Sequence, residues 1–375
     1  MTDEPTISFL TDGGQTPASI LDRLVAYIDG AQSSLDLAIY DAHLAPELAD
    51  RLLGAFAAAE QRGVQVRAVY NDLGKSDNGG DPPVPKISKA APQSGASLLA
   101  RLTQSVPFKA ISGTPDLMHH KYVIRDRAAV WTGSTNWTDD SWTRQENAIV
   151  VIPSADLAAA YQIDFDQLWT GGKVENSGNL DDTPASLMYD GAPFVVRALF
   201  SPGRGHEISE LIGQRITDAR TRINICSPVL TSAEVLKALV ARIEAKTMPA
   251  GTTIAIDGPQ MHGAISQWKH NDRASWKVPL AETVLRSGLV AEKPSTPYAP
   301  GTTHDYMHAK MVVCDNVVMT GSFNCSHSGE MNAENVLEVD NAAFADQCAG
   351  FVTGVHARYA TVAGSTPAPP RSELA

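Results

Sequence analysis

The feature that most restricts the fold of this 375-residue chain is that its apolar pattern occurs twice at a fixed distance. Ile20 and Ile208, Leu24 and Ile212, Leu37 and Ile225, Leu52 and Val240, and Val66 and Ile254 each stand 188 positions apart. In the first copy a helical stripe, Ile20, Leu21, Leu24 and Ile28, follows the cap-like Thr16-Pro17 and closes at Gly30. An alternating strand follows (Leu35, Leu37, Ile39), then a second helix (Leu48, Leu52) and another strand (Val64, Val66, Ala68). Ile208 to Ile216, Ile223 and Ile225, Leu236 and Val240, and Thr252 to Ile256 repeat that order. Unrelated β-α-β stretches share such patterns, but they do not hold one register from the first helix to the last strand.

Alternating strands and helices predict an α/β fold: two duplicated α-β-α layered halves with mixed sheets, related by a pseudo-twofold axis and packed face to face. The expected division is an N-terminal half at 1–170, a Gly-, Asn- and Asp-rich linker at 171–193, a C-terminal half at 194–362 and a disordered tail at 363–375. Two weakly patterned segments, Asn71 to Ser105 and Gly258 to Thr303, occupy equivalent places and read as long loops of functional type.

Composition narrows the class of function. Apolar residues make up 43% and charged residues 19%, the profile of a globular protein. The acidic start MTDEPTISFLTDGG has no long apolar run, so neither a secretory signal nor a membrane anchor is expected, and the expected location is cytoplasmic. Cys226, Cys314, Cys325 and Cys348 lack the close pairing of zinc sites and read as reduced core thiols. A net charge of −12 is the wrong sign for a general binder of nucleic acid or anionic membrane, although a local basic cleft fits within an acidic surface.

The chemistry sits in a second repeated pattern. MHHKYVIRDRAAVWTGSTNWT holds His119-x-Lys121, Asp126 and Gly133-Ser134-x-Asn136, followed by Glu146-Asn147. MHAKMVVCDNVVMTGSFNCS holds His308-x-Lys310, Asp315 and Gly321-Ser322-x-Asn324, followed by Glu334-Asn335. One His-x-Lys is a weak signal, since each fixed position matches by chance roughly one time in twenty. All these positions occurring twice, inside an independent repeat, are not accidental. In a strand, His and Lys two apart share a face, so two such strands meeting at a twofold bring two imidazoles and two ammonium groups around one pocket. Such a pocket suits a phosphodiester: the lysines neutralise the non-bridging oxygens, and Ser134, Asn136, Ser322 and Asn324 can add neutral hydrogen bonds, with a turn-forming role as the competing reading.

The pattern resembles the phospholipase D superfamily, whose signature is His-x-Lys-x4-Asp followed by Gly-Ser-x-Asn, from about residue 6 to about residue 360. That resemblance implies a phosphodiesterase with no cofactor and no metal ion, in which His119 attacks phosphorus to form a phosphohistidine and His308 serves as acid and then base. Pseudo-symmetry leaves the order of the two histidines open at this point. Glu146 and Glu334 are candidates to hold the imidazoles in the correct tautomer. Asp126 and Asp315 read as structural, and Met118 and Met307 as core. His120 and His304 have no partner in the repeat and read as solvent-facing or substrate-loop residues. Trp268, Trp276, His262 and His270, with Lys269, Arg273 and Lys277, read either as packed loop residues or as substrate contacts. A chain with both motifs is expected to be a complete monomer. The expected substrate is a phospholipid head group, with nucleic acid, a small diester, an alcohol-accepting transferase and a non-catalytic phosphate binder as alternatives.

Overall fold

The computed structural model describes residues 4–72, 98, 101–102, 106–181, 183–297 and 302–360. The first half runs β1 (Thr6–Leu10), α1 (Pro17–Asp29), β2 (Ser34–Ile39), β3 (Ala42–His43), α2 (Pro46–Gln61), β4 (Gln65–Asp72), β5 (Phe108–Ser112), β6 (Lys121–Arg125), β7 (Ala129–Gly133), β8 (Trp137–Thr138), α3 (Asp139–Thr143), β9 (Asn147–Ile152) and α4 (Ala155–Gly171). The second runs β10 (Ala185–Tyr189), β11 (Ala192–Ser201), α5 (Gly205–Asp218), β12 (Ile223–Ser227), α6 (Ala233–Glu244), β13 (Thr253–Asp257), α7 (Gly258–Lys269), α8 (Val278–Leu285), β14 (Val290–Lys293), β15 (Met311–Cys314), β16 (Val317–Gly321), α9 (His327–Met331), β17 (Glu334–Asp340) and α10 (Ala342–Ala360).

The duplication extends to the strand order of the two main sheets. One sheet has the order β1-β9-β7-β6-β2-β4-β5; the other has β11-β17-β16-β15-β12-β13-β14, with β10 added at its edge. In both, one end of the sheet is parallel and the rest antiparallel, the mixed sheet that the alternation of elements predicts. Thr16 caps α1 by accepting from the Ser19 amide at 3.2 Å, and Pro17 opens it.

Burial explains the layering. α1 and α2 cover the outer face of the first sheet, packing Leu21, Leu24, Leu52 and Phe56 on Leu35, Leu37 and Val123. α5, α6 and α8 do the same for the second, with Ile212, Leu236 and Val284 on Ile225 and Val312. The inner faces share one core, in which α4 and α10 pack with Tyr122, Ile124 and Val130 from one half and Met311, Val313 and Val318 from the other. The two-residue alternation of β6 and β15 thus sends each strand's apolar side chains to opposite layers. All four cysteines are free and buried.

Two expectations about loops meet a different outcome. The stretch 171–193 holds β10 and the start of β11; its Asp190-Gly191 is a two-residue hairpin turn with φ of 49° and 72°, the left-handed pair such a turn requires. The stretch from Gly258 holds α7, α8 and β14, so Trp268 lies on a helix and Trp276 on a short 3-10 turn at Ser275–Lys277. Most of Asn71 to Ser105, and the tail at 363–375, lie outside the described residues. No described helix is long and apolar enough to cross a membrane.

Candidate active site

Each histidine is held by backbone of the opposite half. Met118 bridges Ala333, and the His119 amide donates to the Ala333 carbonyl at 2.9 Å; Met307 bridges Glu146, and the His308 amide donates to the Glu146 carbonyl at 3.1 Å. The residue before each histidine is anchored alike: Asn71 Oδ1 accepts from the Met118 amide at 2.9 Å, and Asp257 Oδ2 from the Met307 amide at 3.0 Å. Sequence reading missed Asn71 and Asp257, which lie at the C-terminal ends of β4 and β13, Asn71 one residue before the last, and carry no motif.

The four motif side chains are thereby gathered into one site. Lys121 donates to the His119 carbonyl and lies 4.8 Å from the centre of the Tyr40 ring; Lys310 donates to the His308 carbonyl at 2.7 Å. Tyr40 also meets the His119 ring edge-on at 4.5 Å, and Pro228, 188 positions later, offers no such ring. Both imidazoles are pushed well below their ordinary pKa, first by burial and then by the two ammonium groups. Burial brings Lys121 down to about 7 against the attraction of Glu334 and Asp41, and with help from Lys121 it pushes Lys310 well below its ordinary value. Burial raises Glu334 to about 7, opposed by Lys121 and Lys310. Two buried cations facing each other make a place where an anion is stabilised.

The polar partners of the two histidines differ. His119 Nδ1 lies 2.8 Å from Glu334 Oε2. His308 Nδ1 instead lies 3.1 Å from Asn147 Oδ1. The Asn147 amide nitrogen donates to the Ser141 carbonyl at 3.1 Å, so its oxygen faces His308 and the imidazole proton must sit on Nδ1. Glu146 does not hold an imidazole, contrary to expectation. Met307 bridges Glu146 itself, where Met118 bridges Ala333, so Asn147 faces His308 and the Glu146 carboxylate takes Lys293 at 2.7 Å and the Tyr359 hydroxyl. In the first half the residue paired with Asn71 is Ile111, which offers Glu334 no competing cation.

Ser134 and Ser322 also depart from expectation. Each is fully buried; Ser134 donates to Asn147 Oδ1 at 2.7 Å and accepts from the Ala148 amide, and Ser322 Oγ lies 3.3 Å from Asn335 Oδ1 and accepts from the Asn335 amide. A hydroxyl has one proton: that of Ser134 is spent on Asn147, and that of Ser322 on Asn335 or the Glu334 carboxylate it also meets, rather than facing a substrate. The preceding Gly133 and Gly321, with φ of 149° and 153°, are required there: a Cβ would lie 2.1 Å from the Ala148 carbonyl oxygen and 2.2 Å from that of Asn335. Asn136 and Asn324 are half-buried, and Asn136 Oδ1 is enclosed without a hydrogen-bond partner.

Asp126 lies away from the site, accepting from the Gln32, Ser33 and Ser34 amides, and Asp315 does the same with Arg220, Thr221 and Arg222. Those bonds hold Asp315 down at about 2 against its partial burial. His120 is fully buried rather than solvent-facing, 3.1 Å from Asp164, because the strand alternation that aims Lys121 one way aims His120 at α4. His304 is half-buried, stacked on Tyr306. Among the described residues one group of metal-capable side chains converges, His206, Glu234 and Glu330, and it contains none of the motif residues.

With this geometry in place, the chain matches the family described as "Cardiolipin synthase, PLD-like domain" over residues 24–169 and 212–352, one stretch in each half. A mitochondrial cardiolipin hydrolase of Xenopus laevis is 30% identical over 151 residues, 40% of this chain and 61% of that protein. A phospholipase D of Rickettsia bellii is 28% identical over 163 residues, 43% of this chain and 68% of that protein. The crystal structure of phosphatidylserine synthase from Haemophilus influenzae Rd KW20 shares the fold, with a TM-score of 0.60 at 14% identity, over 94% of this chain and 85% of that one.

Proposed function

Since the chain belongs to the cardiolipin synthase, phospholipase D-like domain family, we propose that it is a phosphodiesterase that cleaves phospholipid head groups to phosphatidic acid through a phosphohistidine on His119. The observation that carries this reading is the unequal pairing of the histidines, His119 with a carboxylate and His308 with an amide. A carboxylate at Nδ1 stabilises the positive charge that grows on an imidazole as its Nε2 attacks phosphorus. An amide fixes the tautomer and adds no charge, which leaves His308 free to give and take a proton.

In the first step the Nε2 lone pair of His119 attacks phosphorus, the ester P–O bond breaks, and the leaving oxygen takes a proton from His308. In the second, His308 takes a proton from water, the hydroxide attacks phosphorus, and the P–N bond breaks to release the product. Lys121 and Lys310 hold the non-bridging oxygens, and the phosphodiester's own negative charge restores the protonated state of both lysines and of the His308 acid. Asn136 and Asn324 remain candidates for neutral contacts to the same oxygens, while Ser134 acts through Asn147 on His308.

Phospholipid is favoured over nucleic acid by the names of the two curated relatives and by the net charge of −12. Both motifs lie in one chain, so we also propose an active monomer with halves at 1–170 and 194–362. The test is a parallel assay in excess EDTA on phosphatidylcholine, phosphatidylglycerol, cardiolipin, single- and double-stranded DNA and RNA. Release of phosphatidic acid is the expected result. Cleavage of nucleic acid alone would overturn the substrate, and activity that requires an added divalent metal would overturn the chemistry.

A further inference from the structure

Outside the phosphodiester site, three helix starts of the second half converge on one point. Gly205 opens α5 against the end of α9, where a Cβ would lie 2.0 Å from the Glu330 carbonyl oxygen. Ser201 fastens the same contact, its Oγ lying 2.8 and 2.7 Å from the Gly329 and Asn332 carbonyl oxygens, to which its one proton can be donated. Gly213 lets α6 approach α5, with the Glu234 carbonyl 3.2 Å from where its Cβ would be. The backbone therefore fixes His206, Glu234 and Glu330 as neighbours, and their nitrogen and carboxylate atoms lie within 4.8 Å of one another.

The side chains add features that helix starts alone do not explain. Acidic residues in a first turn are stabilised by the helix dipole, which accounts for Glu234 and Glu330 taken singly. It does not account for two histidines turned to one carboxylate oxygen: Glu330 Oε2 is 4.0 Å from His206 Nδ1 and 3.4 Å from His327 Nδ1. Nor does it account for Glu210, whose carboxylate lies 3.3 Å from His206 Nε2. A carboxylate on one ring nitrogen leaves the other as a lone pair for a cation, the usual arrangement behind a metal-bound histidine.

We propose that His206, His327, Glu234 and Glu330 bind a divalent transition-metal ion of the zinc type, with Glu210 orienting His206, at a site separate from the phosphodiester centre. Two imidazoles and two carboxylates suit zinc, whose ligand atoms in tetrahedral array stand about 3.3 Å apart. Both histidines are exposed, at 64% and 75%, so their rings can close the remaining distance without disturbing the core. Lys277 is the cation that now faces both carboxylates, and its ammonium is already held at 3.0 Å by the Thr231 carbonyl. The ion would tie α5, α6 and α9 together beside the loop that carries Asn324, adding stability and no catalysis.

The test uses the full chain, dialysed against chelator and titrated with zinc by calorimetry. One zinc ion per chain is expected, with a raised Tm, and His206→Ala and His327→Ala should each weaken binding by at least about tenfold. Turnover of a bis-aryl phosphate should be the same with and without zinc in both variants. No uptake of zinc, uptake unchanged in both variants, or uptake lost only when His119 is replaced would each overturn the proposal.

Discussion

In the first half of the molecule the Glu146 carboxylate is bound to Lys293 and the Tyr359 hydroxyl, and Asn147 reaches the opposite histidine; in the second half Glu334 reaches the opposite histidine, and the Asn335 amide donates to Thr132 and Tyr161. The same Glu-Asn pair, on equivalent strands, is used in opposite ways. The backbone sets this up: Gly133 pairs with Ile149 but Gly321 with Val336, and Met307 bridges Glu146 but Met118 bridges Ala333, so the first copy is shifted by one residue and puts Asn147 where the second puts Glu334. Neighbouring side chains then receive the displaced Glu146 carboxylate: Lys293, where the first half has Ile111, and the Tyr359 hydroxyl. A one-residue slip turns each side chain to the other face, so it suffices to make a pseudo-symmetric site chemically unequal, and the displaced buried carboxylate takes the nearest cation and donor.

The sharpest way to break this comparison is to neutralise each carboxylate in turn. Glu334→Gln should lower kcat by about 10²- to 10⁴-fold with the fold retained, because it removes the group that sets the tautomer and charge of His119. Glu146→Gln should cost stability and leave kcat of the folded enzyme unchanged. Equal losses of kcat in both variants would show that the two carboxylates do the same work.

A second variant tests what holds Glu146 in its place. Lys293→Ile copies the first half and leaves Glu146 buried without its cation, and urea unfolding should show a loss of about 3–5 kcal/mol. Replacing both partners, Lys293→Ile with Glu146→Leu, should recover most of it. A neutral single variant would mean that the ion pair does not hold Glu146.

The smallest effect is in the pH dependence of kcat/KM, which reports groups of the free enzyme. Glu334, raised to about 7, must lose its proton to support His119, so the rate falls below that range; Lys121, lowered to about 7, must keep its proton to meet the phosphate, so the rate falls above it. The expected profile is a narrow bell near neutrality whose limbs belong to the coupled set. Glu334→Gln should remove the acid limb, and a flat profile from pH 5 to 9 would contradict the assignment.

Much of this was legible in the residues alone. The apolar register located the helices and strands because a buried stripe or alternating face leaves a period in the sequence, and the twin His-x-Lys motifs located the site. What escaped depended on partners distant along the chain. α7 and α8 bury only a thin stripe, Met261 and Ile265 in one and Ala281 and Val284 in the other, so their segment carried little pattern. Asp190-Gly191 has the composition of a linker and the geometry of a hairpin. Nothing in the spacing shows that the single proton of Ser134 goes to Asn147, or that one lysine on β14 captures Glu146.

The claim that His119 is the nucleophile is tested most directly by intact-mass analysis of two variants after incubation with a phosphodiester bearing a good leaving group. His308→Asn should accumulate an acid-labile phosphoryl adduct on His119, since attack proceeds and the group that activates water is gone. His119→Asn should show none. An adduct that forms on His308 in the His119 variant, and not on His119 in the His308 variant, would reverse the roles of the two halves.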